Sequence, residues 1–144
     1  SWSPPDGSLT IQVPDPNGMQ ALALGGTLPA GVVSSPSFQT NPAAANGFLL
    51  MWVELDPNYT FDNQKGLKGM AEGAATHNGG TLLSSQPGTF AGMDSIAFTF
   101  EKHGISGRGF GFVAGKRLYA LAGFGPDAST DAVFQKYVDS LHLK

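Results

Sequence analysis

The sequence contains no cysteine, and this absence removes several kinds of chemistry at once. Without a thiol the chain cannot form disulfides, thiolate zinc sites or iron–sulfur clusters, and it has no cysteine nucleophile. The absence does not indicate a redox compartment, because domains without cysteine occur in all of them.

Charged residues are also scarce, at 13% of the 144 positions, about half of the usual ~25%. Only eight residues are Lys or Arg, and the net charge is −3. A nucleic-acid backbone or an anionic membrane surface requires a concentrated basic field. We therefore expect no nucleic-acid partner. No apolar run approaches the ~18 residues of a membrane-spanning helix, so no transmembrane segment is predicted.

Glycine and proline are abundant, with 20 and 10 residues, and they predict many turns. The length fits one domain over residues 1–144, since no internal repeat or change of composition divides the chain. The chain starts at Ser1 without a visible signal peptide. We therefore expect a mature or trimmed fragment from which flanking segments have been removed.

Hydrophobic periodicity predicts an α+β protein. Strands are expected at residues 9–13, 81–86 and 93–101. The nearly continuous apolar run at residues 48–55 suits a central strand that is covered on both faces. Residues 15–47 form a variable segment rich in Pro, Gly and Ala. Because a long structureless loop is uncommon in a compact domain, we expect short strands in "MQALAL" and "GVVSS".

Two helices are predicted, one before and one after the later strands in the sequence. In the first, Asp62 is the expected N-cap, and an apolar stripe runs from Leu67 through Met70 and Ala71 to Ala74 and Ala75. The clustered glycines 66, 69 and 73 suggest close backbone packing there. In the second helix, over residues 127–143, Ser129 is the expected N-cap.

The stretch "GRGFGFVAGKRLYALAGFG" predicts a β-hairpin rather than a phosphate-binding loop. A phosphate loop follows a strand and opens a helix, whereas this stretch alternates with a period of two on both sides of Ala114–Gly115. A turn there pairs Phe112 with Arg117 and Phe110 with Tyr119. One face of the hairpin then carries bulky side chains and the other carries small ones, and neither face is polar. Such a sheet needs cover on both faces, which the two helices can supply.

The segments "PDGSLTIQVP", "LMWVEL", "FAGMDSIAFTF", "GKRLYAL" and "VFQKYVDSLHL", in this order, resemble the PsbP-like family. That group includes the photosystem II extrinsic subunit PsbP, a Ran-binding nuclear import factor and small bacterial envelope proteins and lipoproteins. The resemblance covers residues 48–143 well and residues 1–14 loosely, and the 15–47 segment does not match clearly. It implies an α/β/α sandwich, with an antiparallel sheet of about six strands and helices on both faces.

The resemblance does not imply one function, but members of the group mostly bind other proteins. We therefore expect a non-enzymatic binding or accessory domain of an extracytoplasmic protein, which is periplasmic, secreted or membrane-anchored. The resemblance carries no catalytic residue and no cofactor to this chain. Arginine beside aromatic residues is the composition of interface hot spots. The hairpin face therefore gives a candidate partner-binding surface, formed by Arg108, Phe110, Phe112, Arg117 and Tyr119. The alternative reading of these arginines is stems packed on a half-covered sheet, with their heads in water.

Other kinds of site have weaker support. The three histidines, His77, His103 and His142, are far apart, and no H-E-x-x-H spacing exists. Glu54, Asp56 and Asp62 offer carboxylates for calcium, but the EF-hand spacing fails. No G-x-S-x-G nucleophile motif is present. We predict no catalytic and no metal residues. A small-ligand or metal-binding domain, with a pocket between the 15–47 segment and the sheet, and an enzyme of unknown reaction remain the alternatives.

Overall fold

A computed structural model describes residues 2–13, 18–21, 32–34, 36–40, 47–58, 62–77, 80–102, 104–126 and 130–143. These residues form ten strands and two helices. In chain order they are β1 Leu9–Thr10, β2 Gln20–Ala21, β3 Val32–Ser34, β4 Ser37–Gln39, β5 Gly47–Leu55, α1 Asn63–His77, β6 Thr81–Phe90, β7 Met93–Lys102, β8 Ile105–Ala114, β9 Arg117–Phe124, α2 Asp131–Asp139 and β10 His142–Leu143.

Eight of these strands form one antiparallel sheet in the order β2-β4-β5-β9-β8-β7-β6, with β3 beside β5. The α+β class is confirmed. The expectation of about six strands is too low for the described residues, because the variable segment adds the short strands β2, β3 and β4. Strands β1 and β10 pair separately as a small antiparallel ribbon.

The buried side chains form two clusters that take alternate residues from the same strands. The first, here called the α2-side core, contains Leu9, Ile11, Met19, Phe38, Phe48, Leu50, Trp52, Phe112, Tyr119, Leu121, Phe134, Tyr137, Val138 and Leu141. The second, the α1-side core, contains Leu67, Ala71, Ile96, Phe98, Phe100, Val113 and Leu118. Phe112 and Val113 are successive residues that enter different clusters. This alternation follows from the period of two along a strand.

Helix α1 begins as the sequence predicts. The carboxylate of Asp62 accepts a hydrogen bond of 3.0 Å from the Lys65 backbone N–H, which is the N-cap arrangement. Leu67 and Ala71 are fully buried, as the apolar stripe requires. The prediction about the helix glycines is wrong for Gly69 and Gly73, because a Cβ atom added to either would meet nothing within 4 Å. The side chains of Ala74 and Ala75 lie outside the described residues.

Close backbone approach occurs instead in strand β8. A Cβ on Gly109 would lie 2.0 Å from the ring of Phe98, and a Cβ on Gly107 would lie 2.4 Å from the ring of Phe100. These are cross-strand neighbours, so the two rings of β7 occupy the space that side chains would take at the glycines of β8. The small face predicted for this strand is therefore filled by its neighbour.

Helix α2 is capped by Thr130 rather than by Ser129. The Thr130 hydroxyl accepts a hydrogen bond of 3.4 Å from the Val133 backbone N–H, so the helix starts one residue later than expected. Ser129 itself lies outside the described residues. Phe134, Tyr137, Val138 and Leu141 are buried, whereas Val133 is exposed.

Candidate functional site

The predicted hairpin exists, but its turn lies one residue further along. Ala114 pairs with Arg117, so Gly115 and Lys116 form the turn, and Gly115 has a φ of +61°. Phe112 therefore pairs with Tyr119 and not with Arg117. Each residue of β8 is paired with a residue two positions further along β9 than predicted. Because side chains alternate between faces with a period of two, every side chain keeps its predicted face.

The five candidate partner-binding residues lie on one face but at different depths. Phe112 is fully buried and Tyr119 is 4% exposed, and their rings stack with centroids 5.0 Å apart. Arg108, Phe110 and Arg117 are half-buried. Phe112 and Tyr119 therefore belong to the α2-side core and support this surface from below, while the other three residues reach solvent.

Arg117 is held by several residues that are distant in sequence. Its guanidinium makes an ion pair and hydrogen bond with Glu54, contacts the Asp6 carboxylate at 3.2 Å and donates to the Tyr119 hydroxyl at 3.2 Å. It also lies over the Trp52 ring, 5.1 Å from the centroid, in cation–π geometry. This arginine therefore ties the N-terminal segment to strands β5 and β9.

The pKa shifts of the two carboxylates agree with this network. Partial burial raises the pKa of Asp6, but hydrogen bonds from Ser8 and from Arg117 outweigh it and lower the pKa below its usual value. A hydrogen bond from the Ser34 hydroxyl, at 2.8 Å, and another from Arg117 lower the pKa of Glu54. Both carboxylates are thus stabilised in the charged form that pairs with Arg117.

The structure does not bring the two arginines together. Arg108 pairs with Gly123, near the opposite end of the hairpin from the Ala114–Arg117 pair. Ala114 lies six positions after Arg108 along the strand, which is about 20 Å at ~3.3 Å per residue. Any partner that contacts both arginines must therefore cover the length of the hairpin.

The hairpin face continues onto neighbouring strands that sequence reasoning did not select. Arg108 pairs with Thr99, which pairs with Ser84, and Phe110 pairs with Ala97, which pairs with Gln86. Ser84, Gln86 and Ala97 are exposed, and Thr99 is half-buried. We call the surface of Ser84, Gln86, Ala97, Thr99, Arg108 and Phe110 the outer sheet face. In the sequence, this face is indicated by a small or polar residue at every second position of β7.

The carboxylates considered for calcium have separate roles. Glu54 pairs with Arg117, Asp62 caps α1, and the Asp56 carboxylate accepts a hydrogen bond from the Asn58 backbone N–H at 2.9 Å. Among the described residues no three His, Asp or Glu side chains gather as they would around a metal ion. His103 and the side chain of His77 lie outside the described residues, as does most of the variable segment expected to form a pocket.

Within the described part of the chain, neither helix has the length and apolarity needed to cross a membrane. Comparison with protein-family models and with curated proteins finds no match.

Solved structures do match. The chain is similar to the solution structure of cyanobacterial PsbP (CyanoP) from Synechocystis sp. PCC 6803, with a TM-score of 0.64 and 12% identity. That match covers 99% of this chain and 91% of the other. A crystal structure from Bacteroides thetaiotaomicron matches with a TM-score of 0.50 and 11% identity, over 99% of this chain and 47% of that chain.

Proposed function

Because the chain has a PsbP-like fold, we propose that it is a non-enzymatic accessory domain that binds another protein outside the cytoplasm. The fold alone does not assign an activity. One observation supports the proposal, which is that the exposed Ser84, Gln86 and Ala97 lie beside the half-buried Arg108 and Phe110 on the outer sheet face. Protein interfaces combine such an aromatic and arginine centre with a polar rim.

The arrangement of layers belongs to the same proposal. We infer that α1 and α2 cover opposite faces of the sheet, as in an α/β/α sandwich. The support is that Leu67 of α1 belongs to the same buried cluster as Val113 and Leu118. Phe134 of α2 belongs to the other cluster, with Phe112 and Tyr119. On this arrangement α2 covers β5, β9 and part of β8, and it leaves the outer sheet face open.

Within the candidate surface the five residues have two roles. Arg108, Phe110 and Arg117 contact the partner, while Phe112 and Tyr119 hold them in position from the core. We place the centre of the interface at Arg108 and Phe110, because these two residues adjoin the exposed positions of β6 and β7 on the same face. The location outside the cytoplasm rests on the likeness to PsbP-like proteins, and subcellular fractionation of the native protein tests it.

The binding test uses Ala97→Arg, which places a large cation on the exposed outer sheet face without removing a core contact. Lys136→Glu on the exposed side of α2 is the control. Proteins captured from the envelope fraction are identified by mass spectrometry, purified and titrated against each variant. We expect one partner whose Kd rises on the order of tenfold with Ala97→Arg and is unchanged with Lys136→Glu.

Equal affinity of the purified candidate for all three proteins contradicts this interface. Capture of no protein at a defined stoichiometry contradicts the partner-binding function itself. Catalytic turnover abolished by a single polar substitution places the protein among enzymes instead.

A further inference from the structure

An open groove lies between helix α1 and the outermost strand β6, in the part of the sheet that contributes to the α1-side core. It has a volume of about 390 Å³ and is lined by Gln64, Lys65, Lys68, Ser85, Pro87 and Ile96. This volume falls within the ~300–1,000 Å³ range of small-molecule sites. We call it the α1–β6 groove.

The floor of the groove is apolar. Ile96 is 3% exposed and pairs across the strands with Pro87. Proline carries no backbone N–H, so this part of the strand offers fewer polar groups than another residue would. Pro87 is exposed, so an apolar group that lies on its ring removes carbon surface of both from water.

The helix wall of the groove is cationic. Lys65 and Lys68 are exposed and lie three residues apart, so they project from neighbouring positions on one side of α1. In the described part of the chain neither ammonium group forms an ion pair with a carboxylate. Two of the eight Lys and Arg residues of a net acidic chain are thus concentrated at one groove.

Lys65 lies in the first turn of α1, where a positive charge is electrostatically unfavourable. Helix α1 has no acidic residue in its first turn, where negative charge stabilises the helix dipole and positive charge opposes it. The Asp62 carboxylate outside the helix accepts the Lys65 backbone N–H. An anion in the groove relieves this local accumulation of positive potential, whereas a cation increases it.

We propose that the α1–β6 groove binds a small organic carboxylate that carries an apolar group. The carboxylate pairs with the ammonium groups of Lys65 and Lys68, and the apolar group lies on Pro87 and Ile96. The Ser85 hydroxyl and the Gln64 amide supply further hydrogen-bond donors. A neutral apolar ligand forms no ion pair with the two lysines, and inorganic phosphate makes no apolar contact with the floor. This site is separate from the outer sheet face and goes beyond the protein-binding function.

Octanoate is the probe, titrated into the whole chain and followed by amide chemical shifts. Acetate, inorganic phosphate and octan-1-ol are titrated in parallel. We expect saturable shifts of Gln64, Lys65, Lys68, Ser85 and Ile96 with octanoate, and much weaker binding of the other three compounds. The double variant Lys65→Gln, Lys68→Gln is expected to weaken octanoate binding on the order of tenfold or more.

The double variant Lys102→Gln, Lys136→Gln removes the same charge elsewhere and is expected to bind octanoate as the wild type does. Ser85→Trp fills the groove from the exposed strand and is expected to abolish binding while the fold is retained. Equal binding of acetate, phosphate or octan-1-ol overturns the proposal. So do shifts outside the groove, the absence of saturation at millimolar octanoate, or unchanged affinity in the Lys65, Lys68 variant.

Discussion

The two halves of the main sheet differ in how completely they are covered. In the inner half, strands β5 and β9 lie between other strands. Five of their residues join α2 and the N-terminal segment in the α2-side core, namely Phe48, Leu50, Trp52, Tyr119 and Leu121. In the outer half, β6 is an edge strand whose ten residues are all exposed or half-buried. We therefore expect side chains of the inner half to contribute more to stability than those at the outer edge. Surface for binding is available in the outer half, on the outer sheet face and in the α1–β6 groove.

The strongest test of this comparison is a pair of aromatic truncations on neighbouring positions of one face. Phe112→Ala removes a fully buried ring that stacks on Tyr119, and we expect it to lower the free energy of unfolding by about 3–5 kcal/mol. Phe110→Ala removes a half-buried ring at the border of the outer half, so its cost should be clearly smaller. Urea denaturation measures both. Equal costs would show that the outer half is as tightly packed as the inner half.

Glycine substitutions give the next largest effect. Gly109→Ala places a methyl group against the Phe98 ring, at 2.0 Å before relaxation, and overpacking of this kind costs about 1–3 kcal/mol. Gly73→Ala in α1 is the matched control, because its new methyl group meets nothing within 4 Å and alanine favours a helix by about 1 kcal/mol. The two variants should shift the melting temperature in opposite directions. A shift of the same sign in both would contradict the packing of Phe98 over β8.

The turns of the two hairpins provide a smaller effect. Ala91, in the outer hairpin, has a φ of +50° and is followed by Gly92 at +83°, which is the backbone of a type I′ turn. Ala91→Gly should therefore stabilise the protein by about 1 kcal/mol. In the inner hairpin, glycine already occupies the corresponding turn position, where Gly115 has a φ of +61°. Gly115→Ala should therefore destabilise the protein by a similar amount. Thermal unfolding of both variants checks this, and a loss of stability in Ala91→Gly would contradict the turn assignment.

The smallest effect concerns the Arg117 network of the inner half. The folded-state pKa values of Asp6 and Glu54 lie below their usual values of 3.8 and 4.5. A lowered pKa contributes stability above the unfolded-state pKa, and this contribution is lost as the pH falls through the folded-state value. Stability should thus decrease below about pH 5. Asp6→Asn should flatten this decrease and cost about 0.2–1 kcal/mol at neutral pH.

The pH test has a matched control in Asp139→Asn, because Asp139 is an exposed carboxylate that accepts a hydrogen bond from Gln135 on the surface of α2. Urea denaturation at pH 7 and pH 4 measures the difference between the two variants. An identical pH dependence in Asp6→Asn and wild type would show that the Arg117 pair contributes nothing to stability.

The sequence predicts local structure better than it predicts contacts between distant segments. The sequence predicts correctly which side chains of β8 and β9 share a face. Displacement of the turn from Ala114–Gly115 to Gly115–Lys116 shifts the pairing by two residues, and this shift leaves the alternation of side chains unchanged. The turn position itself is ambiguous, since Gly115 supports either arrangement. The helix cap at Asp62 is also local, and it is confirmed by one hydrogen bond three residues away.

The partners of Arg117 illustrate what the sequence does not reveal. Asp6 is 111 residues away and Glu54 is 63 residues away, and no periodicity relates an arginine to such partners. The α1–β6 groove is unpredictable for the same reason, because Lys68 and Ser85 meet only when the helix is laid on the sheet. The role of the five hairpin residues in binding a partner stays a prediction.

The pairing of β1 with β10 has a consequence for the order in which the chain folds. The strands from β6 to β9 form consecutive hairpins with short turns, so their ends meet after a small loss of chain entropy. Leu9 and Leu143, in contrast, come from opposite ends of the described chain. Contacts of such long range are slow to form. The meander should therefore be an early folding unit, and the β1–β10 ribbon should close last and exchange its amide protons first.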